Sequence, residues 1–177
     1  GELMAGVDLF TETVQHLRVR SSAPQYQKMM GAALIWQAVL ILLSARDPRG
    51  ALPILDEARV AITTHGDTFH RALLMFTLAY AELSYGDPVK ARPLFEDSLH
   101  LNEAIGENYQ VGMVYANWSR AYWYRLSSEQ IDLTIAQDLL VKSRQALGDE
   151  PGLYGYAYML MNQSIVESMM KNPPAGW

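Results

Sequence analysis

The stretch TFHRALLMFTLAYAELSYGDPVKARPLFEDSLHLNEAIGE, residues 68–107, decides the fold. It consists of two segments rich in apolar residues, which are separated by Gly86-Asp87-Pro88. Proline fits the first turn of a helix and glycine commonly follows the last turn, so Pro88 and Gly106 mark the start and the end of the second segment. The spacing of the apolar residues therefore predicts two consecutive helices, over residues 69–85 and 89–105.

A second copy of this pattern lies 40 residues upstream. Asp47-Pro48 precedes Asp87-Pro88 at that spacing, and four further positions match at the same offset. These matches are Ala51 with Ala91, Pro53 with Pro93, Leu55 with Phe95, and Gly66 with Gly106. A fixed period of about this size is the signature of a helical repeat, in which each unit packs mainly on its neighbours.

The same start and stop signals divide the chain into about eight helices, with no convincing strand. We predict that Asp47 caps the third helix and that Ser127 or Ser128 caps the seventh. The last helix is expected to open at Asp149-Glu150-Pro151. The other helices are predicted at residues 3–20, 25–45, 48–64, 69–85, 89–105, 109–125 and 133–147. We predict one domain over residues 1–177, with helix pairs at 25–66, 67–107 and 108–148 and partial repeats at 1–24 and 149–177.

Composition limits the function classes. Fourteen Lys and Arg residues against 19 Asp and Glu residues give a net charge of −5, which argues against a nucleic-acid surface because phosphate binding needs a basic patch. The chain contains no cysteine, which excludes disulfides, thiolate zinc sites and cysteine nucleophiles. Half of the residues are hydrophobic, which is enough for a sizeable core.

No stretch of the sequence predicts a membrane anchor. The longest strongly apolar stretch, residues 32–43, is interrupted by Gln37 and is shorter than the roughly 20 residues that a spanning helix needs. No charged-then-apolar signal opens the chain, and we expect a cytoplasmic protein. Because the chain begins at Gly1 and its first helix resembles the second helix of a pair, we also expect it to be a segment of a longer protein.

Three of the predicted pairs resemble the tetratricopeptide repeat. That family places large and small residues at fixed positions of an inner helix, and then an alanine, a large residue and a small residue on the outer helix. The corresponding positions are Met75, Leu78, Ala79, Ala91, Phe95 and Ser98 in the central pair; Ile35, Ala38, Val39, Ala51, Leu55 and Ala58 in the first; and Tyr115, Trp118, Ser119, Tyr122, Ala136, Leu140 and Ser143 in the third. The period of 40 is longer than the usual 34 or so, and Leu42 and Glu82 stand where the family has tyrosine.

Long-period repeats with Gly-Asp between the units are similar to those of large bacterial regulators, such as the maltose-regulon activator and related ATP-dependent LuxR-type regulators. The resemblance implies an all-α fold, a right-handed superhelix of about eight antiparallel helices. It also implies a non-catalytic region that senses an inducer or binds a protein, without a cofactor. The expected partner is a protein, a peptide or a small-molecule inducer, with no nucleic-acid or membrane contact from this segment.

The resemblance also implies a ligand groove lined by inner-helix residues. An aromatic and apolar groove with one arginine suits an apolar or aromatic-bearing peptide, or a small molecule stacked on rings. The alternative is that these rings pack against a neighbouring helix or a second copy of the chain. Carried onto this sequence, the groove positions are Trp36, Leu40, Leu43, Leu73, Phe76, Tyr80, Leu83, Met113, Arg120, Trp123, Tyr124, Tyr156, Met159 and Gln163.

Two polar clusters are candidates for chemistry. The paired carboxylates Asp56-Glu57 recur as Glu96-Asp97, which suits a solvated helix face better than acid–base catalysis. His65, Asp67 and His70 could be imagined as metal ligands, but a polar turn in which His65 ends one helix and Asp67 caps the next explains them better. Two asparagines, Asn117 and Asn162, match the glycosylation pattern within predicted helices, which we attribute to chance.

We predict that the protein is not an enzyme, since no serine elbow or phosphate-binding glycine loop is present. The main hypothesis is a ligand-sensing or protein-binding module of a bacterial transcriptional regulator. The second is a structural scaffold or a homodimerisation array in a multidomain signalling protein. Arg120 would contact a polar end of the ligand, and Trp36, Phe76, Tyr80 and Trp123 would supply an apolar wall.

Overall fold

The protein is all-helical in the computed structural model, which describes residues 2–20, 23–44, 48–124, 131–148 and 154–172. These ranges contain eight α-helices, two short 3₁₀ turns and no strand, so the prediction of an all-α protein is confirmed. The helices are α1 Glu2–Val19, α2 Pro24–Ser44, α3 Ala51–His65, α4 Thr68–Tyr85, α5 Pro88–Ile105, α6 Asn108–Ser119, α7 Leu133–Leu147 and α8 Tyr154–Lys171. The 3₁₀ turns are Pro48–Gly50 and Arg120–Tyr122.

The chain divides into two compact units, Gly1–Leu101 and Asn102–Trp177. The first contains α1 to α4 and most of α5, and the second contains the end of α5 together with α6, α7 and α8. Each unit has a core of its own, and each is described by itself below.

Helix α2 is the centre of the first unit. It packs against α1, α3 and α4, and Leu34, Ile35 and Ala38 are fully buried within these contacts. A helix that is apolar on nearly every side is expected to be buried on more than one face. The packing of α2 confirms this expectation.

By length and composition, α2 is also the one helix in the described ranges that could cross a membrane. The helix is longer than its most apolar stretch, residues 32–43, because it extends over Pro24–Ser44. Of its most apolar window, 44% is buried inside the protein. Packing against α1 and α3 buries part of this apolar surface.

The outer helices approach their partners through short side chains. Ser98 of α5 donates a hydrogen bond of 2.9 Å to the carbonyl oxygen of Ala72, and Ser143 of α7 donates one of 2.8 Å to that of Gly112. Serine can approach a neighbouring backbone closely while its hydroxyl keeps a partner. All nine predicted outer-helix positions are at most 2% exposed: Ala51, Leu55, Ala58, Ala91, Phe95, Ser98, Ala136, Leu140 and Ser143.

Glycine is required where α6 meets α7. A Cβ atom on Gly112 would lie 2.5 Å from Leu147 Cγ, well inside van der Waals contact. In the first unit, a Cβ on Gly31 of α2 would lie 2.6 Å from Ile62 Cδ1 of α3. At both positions, the neighbouring side chain would have to shift to admit even a methyl group.

Several helix ends agree with the predicted signals. Asp67 caps α4, because its side chain accepts a hydrogen bond from the backbone N–H of His70. Gly106 and Gly148 follow α5 and α7 with positive φ angles of 73° and 66°, which glycine adopts without strain.

The predicted cap of α7 was wrong. The helix begins at Leu133 and its cap is Asp132, whose carboxylate accepts hydrogen bonds from the backbone N–H groups of Thr134 and Ile135, both at 3.0 Å. An aspartate directly before the first turn reaches these donors, whereas Ser127 and Ser128 are too far away along the chain. Both serines, like Asp47 before the third helix, lie outside the described residues.

Helix α6 is shorter than predicted. It ends at Ser119 and tightens into the 3₁₀ turn, instead of continuing to residue 125. The carbonyl oxygen of Tyr122 accepts a hydrogen bond of 3.1 Å from the backbone N–H of Asp132, so the end of this segment pairs with the start of α7. The last helix begins at Tyr154, and its predicted opening at residues 149–151 lies outside the described part of the chain.

The repeated prolines have different structural settings. Pro53 is the third residue of α3, where a backbone N–H would have no partner within the helix. Pro93 lies inside α5, which begins at Pro88, so it removes the hydrogen bond to the carbonyl oxygen of Val89. In the first copy, the α-helix begins only after the 3₁₀ turn at Pro48–Gly50. Pro53 therefore falls in the first turn of α3, where no intrahelical hydrogen bond is lost.

We expect Phe95→Ala to reduce the free energy of unfolding by about 3–5 kcal/mol, because the ring is fully buried and its removal leaves a cavity. Val89→Ala, on an exposed face of the same helix, is the matched control and should change it by less than about 0.5 kcal/mol. Urea unfolding followed by circular dichroism measures both. Equal effects of the two variants would contradict the buried position of Phe95.

Candidate functional site

Helix α2 exposes an apolar stripe in the first unit. Met29, Trp36 and Leu43 follow one another at a spacing of seven residues, which places them on one face of the helix. They are 55%, 46% and 53% exposed. We call these three residues the α2 stripe. A large apolar surface that solvent reaches marks a place where another molecule can bind.

The packing of α2 explains why this face stays open. Gln37 donates a hydrogen bond of 2.7 Å to the hydroxyl of Thr11 on α1. Leu40 lies against Gly6 of α1, where an added Cβ would be 2.8 Å from Leu40 Cδ1. Val39 packs against the core of the first unit. The contacts of α2 therefore lie on either side of the stripe and do not cover it.

The other predicted groove residues of the first unit are used in packing. Leu73 is buried in the core, at 8% exposure, and Leu83 is fully buried. The ring of Phe76 lies 6.4 Å from that of Phe95, centroid to centroid, and Tyr80 packs partly buried against the core. Of the predicted apolar wall in this unit, Trp36 is the member with an open face.

The second unit brings three predicted residues together after α6. The guanidinium carbon of Arg120 lies 4.6 Å from the ring centroid of Tyr124, at a cation–π distance. The ring of Trp123 meets that of Tyr124 edge to face, with centroids 5.8 Å apart. The backbone N–H of Tyr124 donates to the carbonyl oxygen of Arg120 at 2.8 Å, and this turn holds the group in place. We call these three residues the α6 corner.

Met113, Tyr156 and Met159 attach α8 to the rest of the second unit. A Cβ on Gly155 would lie 2.9 Å from the sulfur of Met113, so α6 and α8 are in close contact there. Tyr156 packs against the core, in which Met159 is fully buried. These three predicted groove residues therefore serve the packing of α8.

A buried polar network between α6 and α8 was not anticipated from the sequence. The hydroxyl of Tyr158 donates to Asn117 Oδ1 at 2.9 Å, and Asn162 Nδ2 donates to the carbonyl oxygen of Tyr158 at 2.8 Å. Asn117 Nδ2 donates in turn to the carbonyl oxygen of Met113 at 2.9 Å. Both asparagines occur at apolar helix positions, and that was the signal available in the sequence. The bond from Tyr158 to Asn117 links α8 to α6, whereas the Nδ2 groups of both asparagines bond within their own helices.

Asp67 is a structural residue between α2 and α4. Its carboxylate accepts hydrogen bonds from Lys28 Nζ at 2.7 Å, from the backbone N–H of His70 at 2.9 Å and from His70 Nδ1 at 2.6 Å. The hydrogen bond from Lys28, followed by those from His70, holds the pKa of Asp67 far below its usual range. In the described ranges no group of three His, Cys, Asp or Glu residues could hold a metal ion.

Three members of the recurring carboxylate pairs form surface ion pairs. Glu57 accepts from Arg18 at 2.6 Å and links α3 to α1. The same hydrogen bond raises the pKa of Arg18. The carboxylates of Asp56 and Glu96 pair with arginines of their own helices, Arg59 and Arg92, at 3.0 and 2.9 Å. These partners agree with a solvated helix face.

Each of the two units has an open cleft in its described part. One, of about 270 Å³, lies in the first unit between the end of α3, α4 and α5. The other, of about 500 Å³, lies in the second unit along α7 and α8. Gln163, a predicted groove residue, lines the larger cleft. The volume of the larger cleft is within the range of known ligand sites.

No protein-family model, no curated protein and no solved structure matches this chain. The resemblance to the tetratricopeptide repeat therefore rests on the positions quoted from the sequence.

We expect Asp67→Asn to lower stability at neutral pH by about 1 kcal/mol or less, because the carboxylate is half exposed and its ion pair with Lys28 is screened. Asparagine is as good a helix cap as aspartate, so this change isolates the charge. The pKa of Asp67 is lowered in the folded state, so its contribution is fully present above the unfolded pKa of about 3.9 and is lost progressively as the pH falls from there through the lower pKa of the folded state.

Urea unfolding of the wild type and Asp67→Asn at about pH 7 and about pH 3 measures this effect. The difference between the two proteins should be largest at the higher pH and smaller at the lower one, where the unfolded chain is mostly protonated at this position but the folded protein is not. Asp56→Asn is the matched control, since its carboxylate pairs only with an exposed arginine one turn away. A difference between wild type and Asp67→Asn that stays constant over this range would contradict the proposed role of the charge.

Proposed function

We propose that this chain is a non-catalytic binding module of the tetratricopeptide type, in which the helix pairs form a right-handed superhelical array. The support for the repeat type is that the short and long side chains at the expected outer-helix positions are buried in all three pairs. Close approach at such positions is what lets successive helix pairs stack. The buried hydroxyls of Ser98 and Ser143 serve this packing.

The single observation that carries the binding function is the exposed face of Trp36. A half-exposed tryptophan with an exposed apolar residue seven positions to either side offers a wide, rigid surface at low entropic cost. Tryptophan is also among the residues that contribute most to binding energy at interfaces. We therefore propose that the α2 stripe binds the apolar part of a peptide, a partner protein or a small molecule.

The α6 corner is the second proposed binding surface. Arg120 carries a positive charge beside a partly exposed tyrosine, so this corner suits a group that combines a ring with a carboxylate or another acceptor. Tyr124 is the open face of the corner, because Trp123 packs against the core. In the proposed module, the corner would bind the polar end of a ligand.

The biological setting follows from the resemblance alone. We propose a cytoplasmic sensing or protein-binding segment of a bacterial transcriptional regulator, in which ligand binding changes the packing of the repeats. The alternative is a scaffold or homodimerisation array in a multidomain signalling protein. In that case, the α2 stripe would bury itself against protein only, and no small ligand would bind.

We expect Trp36→Ala to abolish ligand binding while the fold is retained, because the side chain is half exposed. The wild type and the variant are purified gently from cell extract and compared by native mass spectrometry. A bound molecule that is present with the wild type should be lost with Trp36→Ala. Circular dichroism reports whether the helices are intact.

Val60→Ala is the matched control, since it removes another exposed apolar side chain, 74% exposed, from α3. It should retain the bound molecule. A molecule that binds equally well to wild type, Trp36→Ala and Val60→Ala would contradict the assignment to the α2 stripe. A wild type that carries no bound molecule would favour the scaffold.

A further inference from the structure

The larger cleft has a composition that differs from the rest of this acidic chain. Its base is Leu140, which is almost fully buried, and Val141 stands half exposed beside it. The remaining lining residues present amides, a guanidinium and a glycine: Gln137, Arg144, Gln145, Gly148 and Gln163. No carboxylate is among these described lining residues, which combine an apolar base with one positive charge.

The polar side chains of the cleft are available to a partner. Within the described ranges, Arg144, Gln137 and Gln145 make no side-chain hydrogen bond and no ion pair. Gln163 Nε2 donates to Glu167 Oε1 at 2.8 Å, which holds its amide at the edge of the cleft. A guanidinium without a carboxylate partner favours an acidic group in whatever binds beside it.

Helix α1 presents a surface of the opposite character. Its buried residues Val7, Val14 and Leu17 face the first unit. The opposite face is exposed and carries Leu9, 62% exposed, between the acidic residues Asp8 and Glu12. No basic residue occurs in α1 before His16. This face therefore presents Leu9 beside the carboxylates of Asp8 and Glu12, and α1 has no basic residue in this part of the helix.

The two surfaces also match in length. The exposed face of α1 runs from Glu2 to Glu12, which is about 15 Å at the usual rise of 1.5 Å per residue. The cleft follows α7 from Gln137 to Gly148, which is about 16 Å by the same measure. A groove between two packed helices accepts the side-chain ridge of a third.

We propose that the cleft along α7 and α8 of one copy of this protein binds the exposed face of α1 of a second copy. Leu9 packs on Val141 and Leu140, and Asp8 or Glu12 pairs with Arg144. The two surfaces are different parts of the chain, so each bound copy still has one of them free. Such a contact builds assemblies by head-to-tail addition and is not limited to a symmetric dimer.

Sedimentation velocity of the full chain over a series of concentrations tests this contact. The wild type should form assemblies that grow with concentration. Arg144→Glu should raise the apparent dissociation constant by about tenfold or more, because it places a like charge against Asp8 and Glu12. Lys90→Glu, on an exposed turn of α5, makes the same charge change away from the cleft and should leave association unchanged.

The reciprocal change provides a rescue. Asp8→Arg combined with Glu12→Arg should also weaken association, and adding Arg144→Glu to that double variant should restore it. A peptide with the sequence of residues 2–20 should bind the wild type and inhibit its association. The same peptide should bind more weakly to Arg144→Glu.

Several results would overturn the proposal. These are a wild type that stays monomeric at all concentrations, association that Arg144→Glu leaves unchanged, or a triple variant without rescue. A peptide or protein of another sequence that binds the cleft, while the chain stays monomeric, would assign the site to that partner. None of these substitutions lies in the α2 stripe or the α6 corner, so ligand binding there is tested separately.

Discussion

The close approach of paired helices is the constraint on which the rest of this structure depends. In α5 and α7, a serine is short enough to let the neighbouring backbone come near, and its hydroxyl bonds to a carbonyl of that backbone. The corresponding residue of α3 is Ala58, which achieves the same approach without a polar group. Because such approaches leave no free volume, dispersion contacts form along the whole pair, and each pair becomes a rigid element.

Rigid pairs determine which side chains remain at the surface. Once α2 has packed against α1 and α3, its exposed large apolar side chains are those of the α2 stripe, between the two contacts. In the second unit, the early end of α6 turns Tyr124 outward while Trp123 packs inward. Helix packing therefore determines the proposed binding surfaces, and their shape is preformed in the absence of a ligand. Surfaces of this kind lose little conformational entropy on binding.

The sequence predicted where helices begin and end better than which of their residues are exposed. The central signals at Asp67, Pro88 and Gly106 are local, and the structure places them as predicted. The end of α6 could not be predicted from a local signal. The segment that follows the helix is held by a hydrogen bond from the backbone N–H of Asp132 to the carbonyl oxygen of Tyr122, two residues that lie ten positions apart in the sequence.

The candidate site was predictable only in part for a related reason. In α2 and α4 apolar residues occur on almost every side, so periodicity does not distinguish a residue that faces solvent from one in the core. Trp36 and Leu73 were indistinguishable by pattern, yet the first is half exposed and the second is buried. The lining of the larger cleft has no sequence signal at all, since glutamines and an arginine on an outer helix are typical of any solvated surface.

Pro93 has a consequence for the dynamics of the central pair. Without an N–H group at this position, the first turn of α5 is connected to the remainder by one hydrogen bond fewer than an uninterrupted helix has. The residues that follow include Phe95 and Ser98, which are fully buried in the first unit. Opening can therefore start at the exposed turn and stop at the proline, so that backbone amides before it exchange with solvent faster than those after it.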